Sequence, residues 1–169
     1  KLPKRLRVPA YLLPYFSQYV LHVGEVAYGW LAAASSVGSV AVGVVMSQFR
    51  HVRQQGRLLL GSVFIFGLAA ILFGVSRIYG LVFGALVLMG AADSVSTIIR
   101  NTIRNLQTPD SLRGRMTGIN QVFFMGGPQL GEIEAGAVAQ GLGVPFAIIT
   151  GGIGTVLAVV WIGARWPLL

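Results

Sequence analysis

Residues 27–49 read AYGWLAAASSVGSVAVGVVMSQF, residues 50–57 read RHVRQQGR, and residues 58–76 read LLLGSVFIFGLAAILFGVS. Two uncharged apolar blocks are thus separated by one short segment that contains three arginines. About 20 apolar residues let a helix cross the hydrocarbon of a bilayer, and backbone groups in lipid must be hydrogen-bonded within their own segment. This stretch therefore predicts two transmembrane helices joined by a basic loop.

Further apolar blocks extend this pattern along the chain. Full-length blocks occupy residues 78–99, 116–139 and 144–164, and a shorter block with two prolines occupies residues 8–23. The shorter block predicts a short or broken first span, because about 16 residues are few for a full crossing. We predict an all-α, polytopic membrane helical bundle of five to six transmembrane helices, with residues 1–169 forming a single transmembrane domain.

Positive charges alternate with these blocks. All but one of the 13 Lys and Arg residues fall in every second gap, and the other gaps hold only Arg77. The clusters are Lys1, Lys4, Arg5 and Arg7; Arg50, Arg53 and Arg57; Arg100, Arg104, Arg113 and Arg115; and Arg165. Short loops rich in Lys and Arg stay on the cytoplasmic side. We therefore predict a multi-pass protein with both termini in the cytoplasm, which requires residues 8–23 to cross.

The composition excludes an ordinary soluble domain. Hydrophobic residues make up 54% of the chain and charged residues 11%, with a mean hydropathy of +0.73, whereas about a quarter of a soluble domain is charged. The lipid bilayer is therefore an expected partner. A net charge of +8 could suit a nucleic-acid binder. However, these charges flank hydrophobic blocks and form no basic face, so nucleic acid is not an expected partner.

Sequence motifs for catalysis and cofactor binding are absent. The chain has no Cys, so it has no disulfide, thiolate metal site or cysteine nucleophile. It also lacks a Gly-rich phosphate loop and a nucleophile elbow. His22 and His51 lie near opposite ends of one predicted span and cannot share a metal. We expect no enzyme activity, no cofactor and no metal.

Small residues recur at four-residue spacing in two of the blocks. The rows are Ser35, Ser39 and Gly43 in the block at 27–49, and Gly127, Gly131, Ala135 and Ala139 in the block at 116–139. Such rows let helix backbones approach closely in lipid. Both rows therefore predict helix–helix contacts, some of which would slide or rock if the protein transports a solute.

The segment before the block at 116–139 resembles a helix start. Thr108 is a suitable N-cap, Pro109 suits a first helical position, and Asp110 complements the positive end of a helix. We therefore predict that this helix begins near Pro109, before it enters the bilayer.

One block carries a polar stripe. At 100° per residue, Asp93, Thr97, Arg100 and Arg104 fall within about a 60° sector of one helix. Charged groups inside a membrane helix are costly, so each is either paired structurally or functional. In the structural alternative, Asp93 bonds to neighbouring helices and both arginines extend to the headgroups. In the functional alternative, the stripe is an inner-gate charge network.

Two carboxylates interrupt the block at 116–139. Glu132 and Glu134 point about 200° apart on a regular helix and cannot face one cavity unless the helix is distorted, for example at Pro128. A carboxylate buried in the membrane can exchange protons near neutral pH, as a proton-coupled carrier requires. Both acids also lie near the predicted outer interface. Gln129 could add a hydrogen bond, although helix-to-helix bonding is the simpler role.

Two motifs resemble a known family. They are Thr108-Pro109-Asp110-Ser111-Leu112-Arg113-Gly114-Arg115, and Gln129-Leu130-Gly131-Glu132-Ile133-Glu134-Ala135-Gly136. They are similar to the region from the helix 10–11 loop through helix 11 of major facilitator superfamily transporters, in the bacterial branch that includes the enterobactin exporter. Leu13-Pro14-Tyr15-Phe16 and Gly90-Ala91-Ala92-Asp93 are similar to helices 7 and 10 of that branch.

The resemblance implies the C-terminal six-helix half, helices 7 to 12, of a proton-driven efflux carrier in a bacterial inner membrane. Its substrate would be a small molecule on a path between two bundles. The candidate gating or proton- and substrate-handling residues are Asp93, Arg100, Arg104, Arg113, Arg115, Gln129, Glu132 and Glu134. The chain departs from the family in two places. The loop at 50–57 lacks the family's acid, and charged residues 1–7 stand where the first half of helix 7 would be apolar.

Three hypotheses follow. In the first, the chain is the C-terminal half of an exporter and is inactive without the missing N-terminal half. In the second, it is a membrane-embedded interaction subunit that associates with a second copy through its small-residue faces. In the third, it is a small carrier that functions as a homodimer.

Overall fold

The computed structural model of the protein describes residues 25–48, 55–109 and 112–165. Within these ranges the chain forms five α-helices: α1, Glu25–Gln48; α2, Gln55–Val75; α3, Tyr79–Gln107; α4, Arg113–Leu142; and α5, Val144–Arg165. The predicted all-α membrane helical bundle is confirmed. The predicted short first span, at residues 8–23, lies outside the described residues.

Four of these helices are long and apolar enough to cross a membrane, namely Val26–Gln48, Gln55–Val75, Tyr79–Gln107 and Val144–Arg165. Helix α4 has 30 residues, which is also long enough for a crossing. Its composition differs, because Asn120, Gln121, Gln129, Glu132 and Glu134 lower its apolar character. The block predicted at 116–139 is therefore helical, but it is the most polar of the five helices.

Helix α3 continues beyond the apolar block from which it was predicted and ends at Gln107. Thr108 caps this end: its backbone N–H donates to the Arg104 carbonyl oxygen at 3.0 Å, and its Oγ1 donates to the same oxygen at 2.7 Å. Helix α4 begins only at Arg113. The prediction that Thr108 is an N-cap of a helix starting near Pro109 is wrong, because its hydroxyl and its backbone N–H both bond to a carbonyl of the preceding helix instead.

The helices pack in the spatial order α1, α3, α2, α5, α4. Helices α1 and α3 are parallel, since Tyr79 Oη donates to the Ala27 carbonyl oxygen and Ser39 Oγ donates to the Gly90 carbonyl oxygen, both at 3.1 Å. Helices α2 and α5 are antiparallel. Gly67, just past the middle of α2, meets Gly152 in the first half of α5, whereas Gly74 at the end of α2 meets Pro145 at the start of α5.

These directions bring the positive charges together. Helices α1, α3 and α5 end where α2 and α4 begin, and this side of the bundle carries Arg57, Arg100, Arg104, Arg115 and Arg165. We call it the basic end. Arg77, in the short connection between α2 and α3, lies at the opposite end.

The hydrophobic core lies toward the opposite end. It consists of Leu31, Ala34, Phe73, Val82, Ala85, Leu86 and Val144. These residues belong to the first halves of α1, α3 and α5 and to the end of α2. Packing is therefore tightest at the end of the bundle that carries fewest charges.

A close backbone crossing holds α1 against α3. A Cβ added at Gly38 would overlap the Val87 carbonyl oxygen and lie 2.9 Å from the Ala91 nitrogen, and a Cβ at Gly90 would overlap the Ser35 carbonyl oxygen. Only glycine permits this approach at both positions. The predicted contacts of Ser35 and Ser39 are confirmed, but Gly43 has no described atom within 4 Å of such a Cβ.

The second predicted row of small residues, which runs from Gly127 to Ala139, does not have neighbours at every position. Ala139 packs against the core, but a Cβ at Gly127 or Gly131 would meet no described atom within 4 Å. The prediction that these two glycines mediate a contact is therefore wrong for the described residues. Helix α4 packs on α5 near its own C-terminus, and most of its preceding turns are exposed.

We predict that Gly90→Ala destabilises the bundle by about 1–3 kcal/mol, because the added methyl group overpacks a backbone contact. Gly84→Ala is the matched control on the same helix, since a Cβ there meets nothing within 4 Å. Thermal unfolding in detergent, followed by circular dichroism, would measure both variants. Equal melting temperatures for the two would contradict the described crossing.

Candidate functional site

The polar stripe of α3 lies on one side of a continuous helix. Asp93 and Arg100 are exposed, and Thr97 and Arg104 are half-buried. Because α3 runs unbroken from Tyr79 to Gln107, its regular turn keeps these four side chains within the predicted sector. The structure therefore brings the four residues to one face, which we call the α3 polar face.

The side of α3 that carries the α3 polar face is apolar and buried nearer the start of the helix. Val82 is fully buried and Leu86 is 8% exposed, and each lies within about 20° of Asp93 around the helix axis. Their surroundings are the tight core at the opposite end of the bundle. From Asp93 onward this side opens, so the α3 polar face begins where the core ends.

Arg100 is held against its own helix. Its Nε donates to the Ser96 carbonyl oxygen at 3.3 Å, and its Nη2 donates to Thr97 Oγ1 at 3.2 Å. These bonds turn the guanidinium back toward the start of α3, in the direction of Asp93. The positive charge of Arg100 therefore lies deeper in the bundle than its position near the helix end would suggest.

Asp93 has no hydrogen-bond or ion-pair partner among the described residues. It lies seven residues from Arg100, which is about 10 Å along the helix axis and too far for a direct pair. It also follows Gly90 by less than one turn, so the α1–α3 crossing fixes its position. Within the described chain, the acidic and basic groups of the α3 polar face are aligned but not paired.

The candidate residues of α4 are dispersed. Gln129, Glu132 and Glu134 are exposed near its outer half, while Arg115 is exposed at the basic end, two residues after Arg113 opens the helix. Helix α4 is continuous from Arg113 to Leu142. Regular helical spacing therefore places Glu132 and Glu134 on different sides of α4, and the described structure brings neither into the α3 polar face.

Two interhelical hydrogen bonds escaped the sequence reasoning. Tyr79 Oη and Ser39 Oγ each donate to a backbone carbonyl of the neighbouring helix. Such bonds help hold helices together in lipid. Four-residue spacing predicted Ser39 as a contact residue, but nothing in the sequence around Tyr79 indicated that its hydroxyl would bond to Ala27. Among the described residues, no group of His, Asp and Glu could hold a metal ion.

Comparison with known proteins adds independent information. Residues 8–168 match the model of a protein family described as transmembrane secretion effector. The enterobactin exporter EntS of Citrobacter koseri is 26% identical over 117 residues, which cover 69% of this chain and 28% of the exporter. The match thus spans less than a third of that relative's length. No solved structure is significantly similar to the chain.

We predict that a cysteine on the α3 polar face reacts faster with N-ethylmaleimide than one on the buried continuation of the same side. The comparison pairs Asp93→Cys with Leu86→Cys in detergent solution, because the absence of native Cys makes each label specific. Ionisation of a thiol is favoured by water access and opposed by apolar burial. Equal rates at both positions would mean that this side of α3 does not open as described.

Proposed function

This chain belongs to the transmembrane secretion effector family of the major facilitator superfamily, and from that premise we propose that it is the C-terminal six-helix half of a small-molecule exporter. The likeness to an exporter over 69% of the chain supports this proposal. So does the presence of four apolar helices that could cross a membrane. The proposed location is a bacterial inner membrane, and no catalytic step is proposed.

The observation that carries the proposal is the α3 polar face. An acid and two arginines lie on the open side of a helix that is otherwise apolar over its first turns. Exposing such groups to lipid is costly, so they are expected to face protein or a water-filled path. Carriers of this kind alternate access by rocking one bundle against the other around a site between them. We propose that the α3 polar face is the part of that site which this chain contributes.

We assign the residues of this face different roles. Asp93 lies deepest and has no partner among the described residues, so it is the proposed proton- or substrate-handling group. Arg100 and Arg104 lie toward the basic end and would form the inner gate. Glu132 and Glu134 are secondary candidates for proton handling, because they are remote from this face.

The proposed orientation places the basic end in the cytoplasm. Positively charged loops resist translocation and are attracted by anionic lipids of the inner leaflet. Arg57, Arg104, Arg115 and Arg165 would then all lie on the cytoplasmic side. With five described crossings, α1 would begin on the outer side and α5 would end in the cytoplasm. Both termini would then be cytoplasmic if residues 8–23 also cross.

An alternative proposal is association with a second copy of this chain, as an interaction subunit or a homodimeric carrier. It is favoured by the exposure of large apolar side chains on α4, where Val122, Phe123 and Leu130 are each at least 70% exposed. A missing bundle would cover the same surface. The two proposals therefore differ in the identity of the partner and not in the need for one.

We predict that vesicles containing this chain alone show no substrate efflux, and that co-expression with the N-terminal half of a family exporter restores it. The physical reason is that alternating access needs two bundles. Efflux would be measured with a panel of small molecules that the complete exporter transports. Transport by the chain alone, with a specific dimer trapped by cross-linking at Phe123→Cys, would instead favour the homodimeric carrier.

We predict that Asp93→Asn lowers efflux by the complete transporter roughly tenfold, equivalent to about 1.4 kcal/mol in barrier height. Replacing the carboxylate by an amide removes both the charge and the exchangeable proton. Thr102→Val is the matched control, because Thr102 lies on the opposite side of α3 and, among the described residues, its hydroxyl bonds only to the Ile98 carbonyl oxygen of its own helix. Equal efflux by both variants would leave Asp93 without the proposed role.

A further inference from the structure

One side of α4 faces the bundle near the end of the helix. Gly136 is buried, Ala135 is half-buried, and Ala139 packs against the hydrophobic core. At about 100° per residue, these three positions fall within roughly a 100° sector. We call the side of α4 that is centred on Ala139 its inner side. Because α4 is continuous from Arg113 to Leu142, the same side can be followed toward the basic end.

Between residues 116 and 133, the inner side is mostly polar and the reverse side is apolar. Three of the five positions within about 40° of Ala139 around the helix axis are polar, namely Thr117, Gln121 and Glu132. All five positions within about 40° of the opposite direction are apolar, namely Met116, Ile119, Phe123, Gly126 and Leu130. A helix packed against an apolar core has the reverse pattern. Polar side chains directed toward the bundle indicate contact with water or with another polar surface.

The α3 polar face leads to the same core. Val82 and Leu86, on the side of α3 that carries Asp93, belong to the core against which Ala139 packs. The α3 polar face and the inner side of α4 therefore meet at the core. Toward the basic end they border one open space, because α4 packs on α5 and lies apart from α3 over most of its described length. We call this space the α3–α4 cleft.

Polar residues of the two helices lie at comparable depths in the cleft. With a rise of about 1.5 Å per residue, Asp93 is about 16 Å from Val82 along α3. Along α4, Glu132 is about 10 Å from Ala139, and Gln121 is about 27 Å from it. Since Val82 and Ala139 both lie at the core, the depth of Asp93 falls between those of Glu132 and Gln121.

We propose that the inner side of α4 forms the second wall of the solute path whose first wall is the α3 polar face. This inference rests on the proposed exporter function and adds Gln121 and Glu132 as side chains that hydrogen-bond water or solute in the path. A carboxamide supplies both donors and an acceptor, and a carboxylate supplies acceptors. The wall also distinguishes the two acids of α4, because Glu134 lies about 200° from Glu132 around the helix and outside the cleft.

Cysteine labelling of the complete transporter in membrane vesicles tests this wall. The probe is a membrane-impermeant sulfonate methanethiosulfonate reagent, present on both sides of the membrane. Gln121→Cys and Met125→Cys lie on the inner side of α4, and Phe123→Cys lies between them in depth on the reverse side. Both inner cysteines are expected to react roughly tenfold faster than Phe123→Cys, because a charged reagent reaches a thiol only through water. The parent transporter gives the background rate.

The order of the three rates separates a water-lined wall from simple depth in the membrane. A steady decrease from position 121 to position 125 would mean access from the membrane surface alone. Equal rates, or the fastest reaction at Phe123→Cys, would mean that the inner side does not face water. Each of these results would overturn the proposal. Melting temperatures in detergent identify a variant that does not fold, and the other inner cysteine then carries the comparison with Phe123→Cys.

Efflux by the parent transporter keeps this inference distinguishable from the proposed function. If the parent exports none of the small molecules tested and the two inner cysteines still react faster, the wall stands and the exporter function fails. If the parent exports solute and the inner cysteines react no faster than Phe123→Cys, the wall alone is wrong.

Discussion

The close backbone crossing of α1 and α3, at Gly38 and Gly90, is the constraint on which the arrangement of the other helices depends. In lipid, helices gain little from burying apolar side chains against each other, because the surrounding hydrocarbon is equally apolar. Association must come from close packing and from hydrogen bonds between helices. The crossing provides both, since the glycines let the backbones touch and Ser39 Oγ donates to the Gly90 carbonyl oxygen at this point. A similar approach of Gly67 and Gly152 joins α2 to α5.

The position of this crossing explains why the two ends of the bundle differ. Between the crossing and the end opposite the arginines, α1, α2, α3 and α5 enclose a packed apolar core. Beyond the crossing, the side of α3 that carried Val82 and Leu86 is open and becomes polar at Asp93. Asp93 follows Gly90 by less than one turn. Any rearrangement between α1 and α3 that shifted Gly90 would therefore move the carboxylate as well.

The features predicted correctly from sequence were those with local physical causes. Long apolar blocks predicted all five described helices, and the alternating clusters of arginine predicted a single basic end. Features that depend on neighbours were harder to predict. The spacing of Ser35 and Ser39 and the spacing of Gly127 and Gly131 are equivalent as patterns, yet only the serines meet another described helix. Spacing identifies residues that share a face, but it does not show whether a partner covers that face.

The end of α3 shows a second limit of sequence reasoning. Hydropathy identifies where a helix leaves the hydrocarbon, but the helix itself need not end there. Helix α3 continues to Gln107, and Thr108 then closes its last turn by bonding to the Arg104 carbonyl oxygen. The Thr-Pro-Asp pattern is equally compatible with a helix start. The outcome depended on how far the preceding helix continued, because a helix that reaches Gln107 leaves Thr108 at its C-terminal end.

Depth in the membrane separates the charged residues into two physical classes. The arginines of the basic end lie near the boundary, where water and phosphate groups can satisfy them. Asp93 lies about 10 Å deeper than Arg100 along α3, and it has no partner among the described residues. Headgroups do not reach that depth without deforming the bilayer. An ionised carboxylate there needs either a water-filled path or a polar group from another protein surface. The residue that is most costly in lipid is therefore also the one for which the proposed second bundle facing α3 matters most.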